Sequence, residues 1–228
     1  MPLNLLEASA AHMSRQSLTS RIYESLKISL AEGDLVPGQK LTPRLICEHL
    51  GVSQTPVREA MLQLVAERSL TLNPNRSITV PELTHEKFIE LRDMRVALEG
   101  LAARQAALLA QKSTVAPLVK IHTDLMRAKS AKQFADTLRL NRLFHFAVYE
   151  LSQRQELIGL IASLWSRTGP YLNFLYKHSQ PTVIDPHPHE ALLESLASND
   201  AAGAERAIAQ DIIEGGRNIL DILKDRDL

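Results

Sequence analysis

The chain has 228 residues, of which 45% are hydrophobic, 23% charged and 4% aromatic. This composition is typical of a globular protein with an aliphatic core, and no apolar run approaches the roughly 20 residues that a membrane helix needs. The start of the chain lacks a basic segment followed by an apolar one, and the single cysteine, Cys47, excludes an intrachain disulfide. A cytoplasmic protein with no membrane partner is therefore expected.

The net charge is zero, but it is distributed unevenly. Residues 15–81 contain eight Lys and Arg against six Asp and Glu, whereas residues 82–228 contain eighteen against nineteen. The basic excess in the first third is small. Specific DNA binding would therefore depend on a few well-placed arginines and on dimerisation rather than on a broad positive field.

The first third of the chain is predicted to hold three helices. Residues 1–14 are interpreted as a flexible arm, and Ser17 can cap a helix over 18–31 that Gly33 ends. The segment 41–64 then predicts two short helices joined by a tight turn at Gly51. This layout is typical of a helix-turn-helix.

The second of these short helices begins with side chains suited to base edges. Short polar residues allow close approach to the major groove, and Gln or Arg can form paired hydrogen bonds to a base. An arginine on the preceding helix could reach a phosphate or a base edge, and another in the following turn could enter the minor groove or bind phosphate. The predicted DNA-binding residues are Arg44, Ser53, Gln54, Thr55, Arg58 and Arg76. Spacing alone also allows a helical hairpin whose polar residues are merely solvated.

Two β-prone runs follow, at 70–72 and 78–80, separated by the turn residues 73–77. They predict a hairpin, the wing of a winged helix-turn-helix, which would complete a DNA-binding domain over residues 15–81. Pro81 begins the linker to the rest of the chain.

Residues 82–228 show helical periodicity and no strand pattern, and they predict a second domain made of helices. The overall fold class is mostly α, with an all-α bundle of about six helices after the winged domain. The predicted helices cover 84–111, 114–129, 132–151, 154–177, 187–198 and 200–225.

The segment 52–60, Val-Ser-Gln-Thr-Pro-Val-Arg-Glu-Ala, closely resembles the recognition-helix motif VSrTPVREA of the GntR family of bacterial transcription regulators. The resemblance implies DNA contacts by Arg44, Gln54, Thr55 and Arg58. Gln54 stands where the family usually has Arg, so the base preference there is expected to differ. In the wing, Ser77 replaces the usual glycine after Arg76, which restricts the backbone at the wing tip.

The second domain resembles the FCD effector domain of the FadR-like subgroup, through Arg95 with Glu99, Asn141 with His145, and His189. In that subgroup one Asp and three His bind a divalent metal in the bundle. The corresponding residues here are Asn141, His145, His189 and Asp211. Two imidazoles, one carboxylate and one amide oxygen could still bind Zn, Ni or Mn as a cofactor. The alternative is a hydrogen-bonded polar core without metal. His187 could substitute for one of the ligands, but it is interpreted as a surface-loop residue.

A buried arginine can bind a carboxylate through paired hydrogen bonds. Arg95, Arg142 and Arg167 are the candidate effector-binding residues, with a structural ion pair as the alternative for each. The leading hypothesis is a ligand-responsive regulator, a repressor that binds a double-stranded operator as a homodimer and is modulated by a small carboxylate. No catalytic residues are predicted. The alternatives are a metal-dependent hydrolase and an architectural DNA-binding protein without effector.

Overall fold

A computed structural model describes residues 10–178 and 187–226. These residues form nine helices and three two-residue strands. In chain order they are α1 (Ala10–Ala31), β1 (Lys40–Leu41), α2 (Pro43–Leu50), α3 (Gln54–Ala66), β2 (Thr71–Leu72), β3 (Ile78–Thr79), α4 (His85–Leu109), α5 (Lys112–Ser130), α6 (Phe134–Glu150), α7 (Gln155–His178), α8 (Pro188–Ala197) and α9 (Ala201–Arg226). None of the described helices combines the length and apolarity needed to span a membrane.

Helix α1 begins earlier than the sequence predicts. Its first residue is Ala10, so residues 10–14 of the predicted flexible arm are helical and Ser17 lies inside the helix rather than at its cap. No proline or glycine interrupts 10–17, so the backbone can continue the helical hydrogen bonds through the predicted start. Residues 1–9 of the arm lie outside the described residues.

The helix-turn-helix has well-defined ends. Thr42 caps α2, its hydroxyl accepting a hydrogen bond from the Leu45 amide, and Pro43 occupies the first turn, where a missing amide costs little. Gly51 ends α2 in the left-handed conformation, with φ 67°, which only glycine adopts without strain. Ser53 is the N-cap of α3 by position, but its side chain makes no cap hydrogen bond.

The wing is part of a small antiparallel sheet. The strands run in the order β1-β3-β2, so the hairpin of β2 and β3 also pairs with β1. Strand β1 lies directly before α2, and a run of two residues carries too little pattern to be predicted from sequence. The buried core beneath the sheet and the helices comprises Ile22, Leu30, Leu41, Val57, Ala60, Met61, Leu64, Leu70, Ile78 and Val80.

The predicted six-helix bundle is confirmed as helices α4 to α9. Helix α4 packs most extensively against α9. Four fully buried alanines on α4 allow this close approach, since they add little side-chain bulk: Ala102, Ala103, Ala106 and Ala107. Aromatic side chains fill the remaining centre, including Phe144 and Tyr149 from α6 and Trp165 from α7.

The winged domain and the bundle meet along α1 and α7. A Cβ atom added to Gly169 would lie 2.4 Å from the carbonyl oxygen of Leu30, so the α1 backbone rests directly on this glycine. Beside it the hydroxyls of Ser69 and Ser166 form a buried hydrogen bond of 2.7 Å. On α6, Arg142 donates a 2.8 Å hydrogen bond to Glu32, just after α1. The interdomain seam is thus direct and closely packed.

Candidate functional site

The start of α3 presents polar side chains to the surface. Ser53, Gln54, Thr55 and Arg58 are exposed, while the opposite face of the helix buries residues such as Val57 and Met61 in the winged domain. Burial of the apolar face fixes the helix on its domain, and the polar residues at its N-terminal end remain accessible to a partner. This arrangement is what a recognition helix requires.

A groove of about 650 Å³ runs between α3 and the wing. Its lining includes Lys40, Arg58 and Arg76, and the described lining residues include no carboxylate. Arg76 at the wing tip adopts the left-handed backbone conformation, with φ 61°. The Asn75 side chain stabilises this turn by accepting hydrogen bonds from the amide and hydroxyl of Ser77. The groove is therefore cationic on both sides, as a surface for phosphates must be.

Arg44 lies on the exposed face of α2, where its Nε donates a 2.8 Å hydrogen bond to Glu48. Both side chains are solvated, with 82% and 57% exposure. An exposed i,i+4 pair of this kind contributes only about 0.3–0.5 kcal/mol. Glu48 would therefore not prevent Arg44 from binding a phosphate.

Three polar side chains converge inside the bundle from three different helices. His145 comes from α6, His189 from the first turn of α8 and Asp211 from α9. The two imidazole Nε2 atoms lie 3.2 Å apart, and Asp211 oxygens lie 3.1 Å from His145 and 3.7 Å from His189. Ligands that each lie about 2.0–2.2 Å from a zinc ion are separated from one another by distances of this size.

A hydrogen-bond chain fixes the tautomer of His145. The Tyr149 hydroxyl donates a 2.5 Å hydrogen bond to the buried carboxylate of Glu99, and the same oxygen lies 2.9 Å from His145 Nδ1. Burial, reinforced by Glu99, raises the pKa of Tyr149 well above its usual value, so the hydroxyl keeps its proton. The Tyr149 oxygen therefore accepts from Nδ1–H, and Nε2 is the ring nitrogen of His145 that faces the trio.

Electrostatics favour a neutral His189 and an ionised Asp211 in this trio. Burial lowers the pKa of His189 to about 4, although Asp211 opposes the shift. Burial alone would raise the pKa of Asp211, but His189 and His145 outweigh it and lower that pKa well below its usual range. Neutral imidazole and ionised carboxylate are the forms that bind a metal cation.

A cavity of about 60 Å³ opens beside the trio. Asn141, the fourth predicted ligand, lines it together with His145 and Asp211. The cavity has room for only a few water molecules. Phe88, Arg92, Arg95, Trp165 and Thr168 also contribute to its wall.

The three predicted effector arginines do not converge. Arg95 lines the cavity, but its Nε and Nη2 donate to Glu99 at 2.5 and 3.3 Å, and its guanidinium lies 4.5 Å from the Trp165 ring centroid. Arg142 instead pairs with Glu32 at the interdomain seam. Arg167 lines a different cleft, between the wing and α4, because it projects from the seam side of α7.

The contacts of several polar residues of the bundle were not predicted from the sequence. Glu99 and Tyr149 complete the chain to His145, and Arg92 lines the cavity. Tyr149 lies four residues after His145, a spacing that places both on one helix face, so this contact was visible in principle. His187 was predicted on the surface. It is buried, because it caps α8 by accepting from the His189 amide and packs beside the His122 ring.

Comparison with known proteins gives consistent matches to both domains. The family model described as bacterial regulatory proteins, gntR family, matches residues 18–80, and the FCD domain model matches residues 90–214. The HTH-type transcriptional regulator McbR of Escherichia coli K12 is 33% identical over 200 residues, covering 87% of this chain and 90% of McbR. The Uxu operon regulator of Haemophilus influenzae is 30% identical over 211 residues, covering 85% and 78%.

A solved structure of E. coli McbR/YncC superposes with a TM-score of 0.83 at 32% identity, covering 92% of this chain and 99% of that one. The relatives named above are regulators, which argues against the hydrolase alternative.

Proposed function

We propose that this chain, which belongs to the GntR family of transcription regulators and has an FCD effector domain, is a cytoplasmic repressor. Membership of this family makes it a ligand-responsive DNA-binding regulator rather than an enzyme. It binds a palindromic operator as a homodimer. A divalent metal and a small carboxylate in the bundle control its affinity for DNA.

The exposed start of α3 is the observation that carries the DNA-binding part of the proposal. Ser53, Gln54, Thr55 and Arg58 lie beside a groove that Arg58 and Arg76 make cationic. A single recognition helix reads few base pairs, so two-fold pairing is needed for a site of useful length.

Selection of bound fragments from random duplex DNA tests this part. We expect an inverted repeat and a complex of two chains per duplex, measured by light scattering. Selected fragments without two-fold symmetry, or one chain per duplex, would contradict the homodimer.

The trio supports a metal centre because three candidate ligand atoms converge. His145 Nε2 lies 3.2 Å from His189 Nε2 and 3.1 Å from an Asp211 oxygen, and ligands of a single transition-metal ion have such separations. His145, His189 and Asp211 would hold Zn²⁺, Ni²⁺ or Mn²⁺, with Asn141 as a further oxygen donor. When bound, the cation supplies a positive charge that attracts an anionic effector.

Elemental analysis of untagged protein tests the metal. We expect stoichiometric metal in the native chain and its loss from the double variant His145→Gln, Asp211→Asn. The matched control Asp221→Asn changes a carboxylate at an exposed position of α9, outside the cavity, and should keep the metal. Metal-free native protein that also shows no thermal shift with added zinc, nickel or manganese would defeat the proposal.

Charge around the cavity supports a carboxylate effector. Arg95 is neutralised by Glu99, and a divalent cation would leave the trio with one net positive charge after Asp211 is counted. The half-buried Arg92 adds a second positive group at the wall, although Asp93 pairs with it. The small volume requires either a very small carboxylate or opening of α9, whose Gly215 and Gly216 form part of the wall.

Helix α7 connects this cavity to the DNA-binding domain. Thr168 accepts a 3.4 Å hydrogen bond from Arg95 and lines the cavity, and on either side of it Ser166 and Gly169 touch the winged domain. An effector that shifts Arg95 or Thr168 would therefore move the interdomain seam and change the affinity for DNA. By thermodynamic linkage, DNA would then change the affinity for the effector by the same factor.

Ser166→Ala tests this coupling. We expect separate DNA and metal affinities to persist while the effect of metal on DNA affinity shrinks. The control Ser163→Ala, on the same helix but outside the seam hydrogen bond, should leave the effect of metal unchanged. An undiminished effect in Ser166→Ala would reject this route.

A further inference from the structure

A second histidine cluster lies next to the first trio and is unused by the function proposed above. It comprises His122 on α5, His187 at the N-cap of α8 and His189 in the first turn of α8. One ring nitrogen from each lies within 4.8 Å of one ring nitrogen of the other two. All three residues are buried, with 8%, 9% and 0% exposure.

Two ring nitrogens in this cluster have no hydrogen-bond partner among the described residues. They are His122 Nδ1 and His189 Nδ1, and both are inaccessible to solvent. A buried polar nitrogen without a partner is costly, so such atoms are rare unless something binds them. A cation bound among the three histidines would satisfy both atoms once each nitrogen offers it a lone pair.

The orientations of the rings support coordination by these atoms. His189 already directs Nε2 into the first trio, so Nδ1 is the atom left for a second ligand. Phe144 stacks on the His189 ring at 4.0 Å between centroids and holds its plane. His122 Nε2 lies 4.0 Å from a Glu190 oxygen, which would place a carboxylate behind the ring, as is usual for metal-binding histidines.

The third proposed ligand, His187, makes only a long hydrogen bond through its ring. Its Nδ1 accepts a hydrogen bond of 3.3 Å from the His189 amide, and coordination would exchange this long bond for a metal bond. Among the nearby charges, Asp211 and Glu190 favour a cation and the half-buried Lys129 opposes it. With the first centre empty, two carboxylates face one ammonium, and this balance favours binding of a cation.

We propose that His122, His187 and His189 form a second transition-metal site, and that the His189 imidazole bridges it to the first. Three imidazoles suit Zn²⁺, Ni²⁺ or Cu²⁺ and disfavour Mg²⁺ and Ca²⁺. Occupation of both nitrogens of His189 releases its remaining ring proton to solvent. The inference shares His189 with the proposed function but does not require that the first centre is filled.

Zinc binding to the metal-free full-length chain tests the proposal, read as zinc retained per chain after desalting. We expect two zinc ions in the native chain and one in the double variant His122→Gln, His187→Gln. The variant His145→Gln, Asp211→Asn, which removes the first centre, should also retain one. The exposed His49→Gln is the matched control and should retain two.

The variants separate the two sites. If His122→Gln, His187→Gln retains as much zinc as the native chain, the second site is overturned, whatever happens at the first. If only His145→Gln, Asp211→Asn fails to reduce the zinc content, the first centre fails and the second stands. Nitrogen-15 NMR of the native chain avoids any folding defect of the variants. Zinc should shift the Nδ1 resonances of His122 and His187, and unshifted resonances would overturn the proposal.

Discussion

The two regions that carry the proposed function place their polar groups in opposite environments. In the winged domain the candidate DNA contacts are exposed and lie on a buried apolar support. In the bundle the polar groups are buried and bonded to one another, from Arg95 through Glu99 and Tyr149 to His145. The first set is therefore poised for an external partner, whereas the second set forms one coupled unit.

This difference determines what a substitution does. An exposed arginine on α3 can be removed with little effect on the fold, because water replaces its contacts. A residue of the buried hydrogen-bond chain cannot be removed so easily, because its partner is then left charged or unpaired away from water. Substitutions in the winged domain should thus change binding, and substitutions in the bundle should change stability as well.

Loss of the buried charge at Glu99 should have the largest effect. Glu99→Gln leaves the Arg95 guanidinium without its counter-ion, and breaking a buried pair costs about 3–5 kcal/mol. The free energy of unfolding, measured by urea denaturation, should fall by that amount. The exposed pair Arg104–Glu205 gives the matched control. Glu205→Gln should cost no more than about 1 kcal/mol. An equally small loss of stability in Glu99→Gln would show that Arg95 and Glu99 do not depend on each other.

Acid should destabilise the metal-free chain through the buried histidines. His189 has a pKa of about 4 in the fold against an ordinary 6.5, so between these values the unfolded chain binds more protons. The free energy of unfolding therefore declines as the pH falls from about 6.5 to about 4, by about 3 kcal/mol for this shift, and levels off below it. His187, lowered to about 3 mainly by burial, acts in the same direction.

Urea denaturation of the metal-free chain across this pH range measures the decline. In His189→Gln the slope should be shallower, and an unchanged slope would contradict the assignment.

Removal of Arg58 should reduce DNA affinity without reducing stability. A bidentate arginine contact to a base contributes about 1–3 kcal/mol of discrimination, so Arg58→Ala should weaken binding to the selected operator about ten- to a hundredfold. Fluorescence anisotropy measures the affinity and thermal unfolding measures the fold. The control Arg217→Ala changes an exposed arginine of the bundle. Native operator affinity in Arg58→Ala would reject α3 as the reading helix.

Two glycines of α7 should respond oppositely to substitution by alanine. At Gly159 an added Cβ meets nothing within 4 Å, so Gly159→Ala should stabilise the chain by about 1 kcal/mol through helix propensity. At Gly169 the Cβ would collide with the α1 backbone, and such overpacking costs about 1–3 kcal/mol. Thermal denaturation of both variants measures the contrast. Equal changes in melting temperature for the two variants would show that the α1–α7 contact adjusts to the added methyl group at little cost.

Local patterns allowed much of the fold to be predicted. The spacing around Gly51, the turn between the wing strands and the six helical segments all depend on neighbours in sequence, and the structure places helices and strands there. His145 and Asp211 lie on different helices, and the family resemblance, rather than periodicity, predicted that they meet.

The missed contacts are long-range or depend on burial. Nothing near His122 in sequence indicates that its ring lies beside those of His187 and His189, which belong to a distant helix. Likewise the partners of Arg142 and Arg167 could not be predicted, since a helix periodicity does not identify which neighbouring element each face meets. In the structure Arg142 contacts Glu32, and Arg167 lines the cleft between the wing and α4.

The seam between α1 and α7 limits how the parts of such a regulator can be exchanged. A hybrid that joins a foreign winged domain at Pro81 would lose the Ser69–Ser166 hydrogen bond and the Glu32–Arg142 ion pair, unless the foreign domain supplies equivalents. It would also need a backbone that fits against Gly169. A transplantable sensor therefore consists of the bundle together with the matching surface of its original DNA-binding partner.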